Sequence, residues 1–230
     1  MVSLDALSVL PSALREGHRL INSKFPPVSV FDDVASASEF DDLYELQALT
    51  NPRLQTEVGN LALIEQKDIP FGIPGCSYAT APFTHVNPDG SRFGDGQYGV
   101  LYIADTIETA IAEVRHHQDA YWRNVPDLSY ERFVFRGLTC TFDEGGMVDG
   151  IALSHTDPIY APDNYAASRA LGHAVRERNL PGLRYHSVRH PGAMCWALMS
   201  PKPVSSIIQT AHYEMVWSGT ITSVNRLSSP

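Results

Sequence analysis

Three cysteines in 230 residues (Cys76, Cys140 and Cys195), far apart and never in a C-x-x-C pair, give no basis for a disulfide framework or a thiolate zinc site. Cations are scarce too: 17 Lys and Arg stand against 26 Asp and Glu, a formal net charge of −9. Such a chain is no general nucleic-acid binder, because neutralising a phosphate backbone needs a Lys/Arg surplus. Net charge says nothing about a single cleft, so a local basic pocket for a phosphorylated small molecule stays open. No apolar run reaches the roughly 18 residues needed to span a membrane. The first residues, MVSLDALSVLPSALREGHRL, make a poor signal peptide, with an early acidic residue and only a short apolar stretch. Internal repeats, low-complexity tracts and a G-x-S-x-G hydrolase turn are missing, and His186 and Cys195 carry no hydrolase signature. These absences leave a soluble cytoplasmic protein, and 43% apolar residues over this length suffice for a substantial core.

The chain divides at about residue 75 into a mainly helical N-terminal extension (1–75) and a main domain (76–230). Apolar spacing in PSALREGHRLIN (11–22) suits a helix. A second helix covers SEFDDLYELQALT (38–50), with Ser38 as N-cap, Asp41 three residues later and Pro52 beyond its end. Pro26 and Pro27 make the segment between them an extended connector. CSYATAPFTHV (76–86) is rich in β-branched and aromatic residues and suggests a strand interrupted by Pro82. NPDGSRFGDG (87–96) is dense in turn residues, and YGVLYIA (98–104) is the short apolar run of a buried strand. DTIETAIAEVRHH (105–117) follows as a helix capped by Asp105 or Thr106. Residues 131–150 alternate like a strand ending in a Gly-rich turn, 161–183 form a helix stopped by Pro181-Gly182, and 184–192 are a polar loop or strand end. Residues 193–200 and 211–221 look like closing strands. The expected class is α+β.

Three polar residues stand out from the turn–strand–helix unit at 91–117: Arg92, Tyr102 and Glu113. At 100° per residue Ile107, Ala110, Ile111 and Val114 form the core-facing stripe of the helix, with Glu113 on its flank. A glutamate there either points to water or overhangs a cleft. Tyr102 shares a strand face with Val100, where a tyrosine commonly packs with its hydroxyl tied off. Arg92 forms either an exposed ion pair or a bidentate grip on phosphate. His116 and His117 point about 100° apart, a poor chelating pair, and suit a solvated helix end; no metal site is expected.

The spacing, ten positions from Arg92 to Tyr102 and eleven from Tyr102 to Glu113, resembles the RES-domain family of bacterial type II toxin–antitoxin toxins, named for an arginine, a glutamate and a serine. In the downstream frame GLRYHSVRHPG, Ser187 takes the serine position, followed by Arg189. The likeness covers roughly residues 76–217, with 1–75 matching only longer members. It implies an ADP-ribosyltransferase-like mixed sheet with flanking helices, and NAD+ as substrate rather than bound cofactor. Carried over, Glu113 is the catalytic carboxylate and Arg92 holds the phosphate or ribose side. Tyr102 shapes the nicotinamide slot, and Ser187 and Arg189 bind near the ribose or phosphates. Many members carry a further arginine on the strand before the turn, where this chain reads SYATAPFTH; His85 either substitutes as an NAD+ contact or is structural. The longer, ParT-like members transfer ADP-ribose to a host protein (mono-ADP-ribosylation); water or phosphate as acceptor gives an NAD+ glycohydrolase or phosphorylase. The likeness also implies a cognate antitoxin with an Xre-like helix-turn-helix domain. A reading of another class keeps the trio structural, in a non-catalytic binding module.

Overall fold

The computed structural model describes residues 4–25 and 30–227. Its frame is one eight-stranded sheet made of β1 (Leu14–Asn22), β2 (Leu101–Ala104), β3 (Glu131–Asp143), β4 (Val148–Asp149), β5 (Gly182–His186), β6 (Met194–Leu198), β7 (Val204–Trp217) and β8 (Ile221–Arg226). The spatial order is β4-β5-β6-β2-β1-β3-β7-β8. Only β4 and β5 run parallel; the other neighbours are antiparallel. Among the described residues there are five α-helices: α1 (Ala37–Ala48), α2 (Leu54–Val58), α3 (Cys76–Thr84), α4 (Ile107–Arg123) and α5 (Ala166–Glu177). The class is α+β, as expected.

Alternation along the strands sends side chains to two cores. On β2, Leu101 and Ile103 face a core shared with Ala79 and Phe83 of α3, while Tyr102 and Ala104 face the core that α4 and α5 cover. Trp122 of α4 stacks on Phe133 at 3.6 Å between ring centres. A third, smaller core around Phe31, Phe40, Leu54 and Val58 belongs to the segment before α3.

Two segments differ from their sequence expectation. Of residues 11–22, Leu14–Asn22 form β1, not a helix, so the N-terminal 75 residues are not a helical appendage: they supply a central strand. Nine register pairs tie β1 to β3, from Leu14↔Asp143 to Asn22↔Phe135, and this ladder outweighs an apolar spacing that also fits a helix. Gly17 makes the strand's other side possible: a Cβ there would lie 2.4 Å from Ile103 Cγ2 and 2.8 Å from Ala104 O. Conversely, residues 76–84 form α3 rather than a strand. Its buried positions 76, 77, 79, 80, 83 and 84 follow the helical period, and that period overrides the β-branched composition. In α1 the N-cap is Ser36, not Ser38: Ser36 Oγ accepts from Glu39 N at 3.3 Å and Glu39 reaches back to Ala35 N at 2.8 Å. The connector at Pro26 and Pro27 lies outside the described residues.

Candidate active site

Arg92 sits in a turn whose shape is set by glycine and by a second arginine. Gly90 adopts φ +77°, and a Cβ there would lie 2.5 Å from Gly94 O. Arg169 of α5 clamps the turn, donating to Ser91 O at 3.0 Å and Asp89 O at 2.8 Å. Arg92 is only 7% exposed. Its Nη1 donates to Ile159 O at 3.1 Å and Ala161 O at 3.0 Å, and the Tyr165 ring lies 4.6 Å from its guanidinium carbon. Tyr102, reaching up from β2, ties the same turn to the sheet: its hydroxyl pairs with Ser91 Oγ at 2.8 Å and accepts from Phe93 N at 2.9 Å. Burial pushes this phenol up to about 12, so it is neutral.

Glu113 comes from α4, capped by Thr106, whose Oγ1 accepts from Thr109 N at 3.1 Å. It does not point into open water. Ser187 Oγ donates to its Oε1 at 2.6 Å and itself accepts from His190 N at 3.0 Å and Arg189 N at 3.3 Å. One turn earlier on α4, Thr109 Oγ1 pairs with His190 Nδ1 at 2.8 Å. The loop after β5 is thus bolted to the helix at two levels. Glu113 Oε2 has no protein donor among the described residues.

The remaining residues singled out in the sequence divide. Arg189 follows Ser187 on the loop after β5: it donates to Pro162 O, lies 3.6 Å from the Asp163 carboxylate, and its Nε lacks an acceptor among the described residues. One segment, 159–163, therefore holds both arginines. His85 is set apart, exposed at the end of α3 with Nδ1 paired to Thr84 Oγ1 and Nε2 to Thr56 O, each at 3.0 Å. It lines a cleft of about 160 Å³ with Arg19, Ser91 and Tyr102. His116 and His117 are not at a helix end, because α4 runs on to Arg123.

Two residues escaped the sequence reading. Arg19 of β1 donates from Nη1 to Tyr102 O at 3.0 Å, and burial pulls its guanidinium below its ordinary range. Reading 11–22 as a helix hid it. Tyr185 of β5 is buried beneath the site, edge-on to Phe93 at 4.7 Å. Burial pushes its phenol well up, and it feels the charges of both Glu113 and Arg92. The alternation of Leu183 and Tyr185 in GLRYH was the available signal. A larger cavity, of about 1020 Å³, lies away from Glu113, between residues 62–68, the end of α5 and residues 199–203. Lys202 and Asp68 on its wall pair with each other at 3.0 Å.

With this geometry in view, residues 69–218 match the RES domain family. The chain belongs to that family. A Sinorhizobium fredii protein, "uncharacterized protein y4oC", is 32% identical over 210 residues, spanning 91% of this chain and 86% of that one. Among solved structures, the M. tuberculosis MbcT-MbcA toxin-antitoxin complex aligns over 90% of this chain and 88% of the matched chain, at 10% identity and a TM-score of 0.44. The matched RES stretch contains Arg92, Tyr102, Glu113 and Ser187. The strand β1 with Arg19 precedes that stretch, yet it is built into the same sheet.

Proposed function

We propose that this RES protein is the toxin of a toxin–antitoxin pair, and that it cleaves NAD+ at the nicotinamide–ribose bond and transfers ADP-ribose to a host protein. The observation that carries the reading is the Glu113 carboxylate, with one oxygen fixed by Ser187 at 2.6 Å and the other without a protein donor among the described residues, on a stretch of α4 that also feels the charges of Arg92 and Arg189. Nicotinamide leaves with the electron pair of the broken bond, which neutralises its pyridinium and leaves a cation-like ribosyl carbon, as in glycoside hydrolysis. A carboxylate hydrogen-bonded to the ribose strengthens its hold as that charge develops, so a single Glu serves and no general acid is needed. Arg189, loosely paired to an exposed aspartate, and the unspent donors of Arg92 suit the diphosphate. Tyr102 and Tyr185 stay neutral phenols, so neither adds an anion beside Glu113 and Arg92. The partner is an antitoxin with a helix-turn-helix domain that inserts a segment toward this cleft.

The test is incubation of the purified protein with NAD+ and cell lysate, following nicotinamide and the fate of ADP-ribose. A labelled protein band supports transfer to a host protein. Free ADP-ribose alone, or its 1″-phosphate, replaces that acceptor with water or phosphate. In Glu113→Gln, nicotinamide release is expected to fall by roughly 10²- to 10³-fold, the usual loss when one transition-state contact is removed. A wild-type protein that releases no nicotinamide with any acceptor overturns the reading.

A further inference from the structure

His117 follows Glu113 by four positions on α4, so the two side chains share one stripe with Cβ atoms roughly 5–6 Å apart. Helical side chains lean toward the N-terminus, which tips the imidazole back toward the carboxylate. His116 flanks it, with ring centres 5.4 Å apart and planes 72° to each other. The charges that His117 feels are Glu113 and His116 on its own helix and Arg189 and Arg92 from other elements. His116 in turn meets Arg189, Asp163, Glu113 and Arg92. Desolvation is the main cause that holds both imidazoles below their ordinary range, followed by Arg189 for His116 and by His116 and then the arginines for His117, with Glu113 pulling the other way. His117 is nevertheless solvent-exposed. It is a neutral, reachable proton acceptor beside the carboxylate.

Bond cleavage has no use for such a group, because nicotinamide departs without a proton transfer. Capture of the ADP-ribosyl group does. Its nucleophile arrives as O–H and must shed a proton while its oxygen bonds to the ribosyl carbon. We propose that His117 is the general base of this capture step, which makes the acceptor a hydroxyl rather than a carboxylate. The oxygen's lone pair forms the new C–O bond, the O–H proton passes to the imidazole nitrogen, and the imidazolium later releases it to solvent. The inference rests on the reading of NAD+ as substrate.

The experiment compares the full-length protein with His117→Gln and Glu113→Gln, with and without sodium azide, reading nicotinamide release and ADP-ribosyl azide. Azide arrives as an anion and needs no base. Turnover of His117→Gln with its hydroxyl acceptor is expected to fall about 10²-fold, with loss of the acidic limb of the wild-type pH profile. Azide restores its nicotinamide release and leaves Glu113→Gln unrescued. Wild-type turnover and an unchanged acidic limb in His117→Gln overturn the base assignment, as does failure of azide to rescue it; both leave NAD+ cleavage by the wild type standing. A wild-type protein that releases no nicotinamide even with azide overturns the substrate reading as well. Because His117 is exposed, its substitution leaves the core packing intact.

Discussion

Ser187 is 7% exposed, and its single oxygen serves three partners: it donates to Glu113 and accepts from the backbone N–H groups of Arg189 and His190. Removing that oxygen leaves two part-buried amides and one carboxylate oxygen without this partner at once. Ser187→Ala is therefore expected to destabilise the protein by about 1–3 kcal/mol. It is also expected to lower NAD+ turnover about tenfold or more, since the carboxylate loses the bond that aims it. A melting curve and nicotinamide release check the two effects; full turnover in Ser187→Ala removes the positioning role. The residue types at Glu113 and Ser187 were legible in the sequence, but their bond was not, because a contact between an α4 side chain and the loop after β5 leaves no trace in local pattern. Tyr102 shows a similar limit. Its place on a buried strand face followed from alternation, whereas its hydroxyl partners, Ser91 and Phe93, depend on how the Gly-rich turn folds back.

Among the elements, the β2–α4 unit was readable because each signal in it agrees: an apolar run, a Thr cap, then a helical stripe. Strand β1 was not, since its nine residues hold few local cues and take their conformation from β3. Its other neighbour, β2, touches it through one register pair, His18↔Ala104. That seam depends on a missing methyl. Adding one at Gly17 forces a Cβ to within 2.4 Å of Ile103 Cγ2 and 2.8 Å of the Ala104 carbonyl, so the strands must part. Gly17→Ala is expected to cost about 1–3 kcal/mol, as overpacking usually does. It also shifts Arg19 from Tyr102 O, and Tyr102 ties the turn that carries Arg92 to the sheet, so the Michaelis constant for NAD+ is expected to rise. Denaturant titration and steady-state kinetics read both; an unchanged midpoint shows that the seam has slack.

On the scale of the whole molecule, titratable groups are buried on both flanks of neutrality, and the direction of each shift fixes how stability depends on pH. At the acid end, His116 and His117 have folded pKa values below the ordinary 6.5. The unfolded chain then binds more protons, so their contribution is complete above pH 6.5 and drains away as pH falls through the lower folded values. At the alkaline end the buried thiols and phenols act in the opposite sense. Desolvation raises Cys76 from 9.0 to about 11 and Cys140 from 9.0 to about 12. It also raises Tyr98, Tyr102 and Tyr160 from 10.0 to about 12. The folded state keeps these protons longer than the unfolded one, so their stabilisation is complete below pH 9 and is lost as pH rises toward 12. The residues sit in different layers, Cys140 on the α3 side of the sheet and Tyr102 on the α4 side, so both faces weaken over the same interval. Urea unfolding at successive pH values is therefore expected to give a plateau from about pH 7 to 9 and a falling midpoint on either side. The alkaline decline is steeper, since these five groups, joined by Tyr185 and Cys195, which burial also raises, act there against two histidines. A midpoint that holds level from pH 9 to 11 contradicts burial of these thiols and phenols as described.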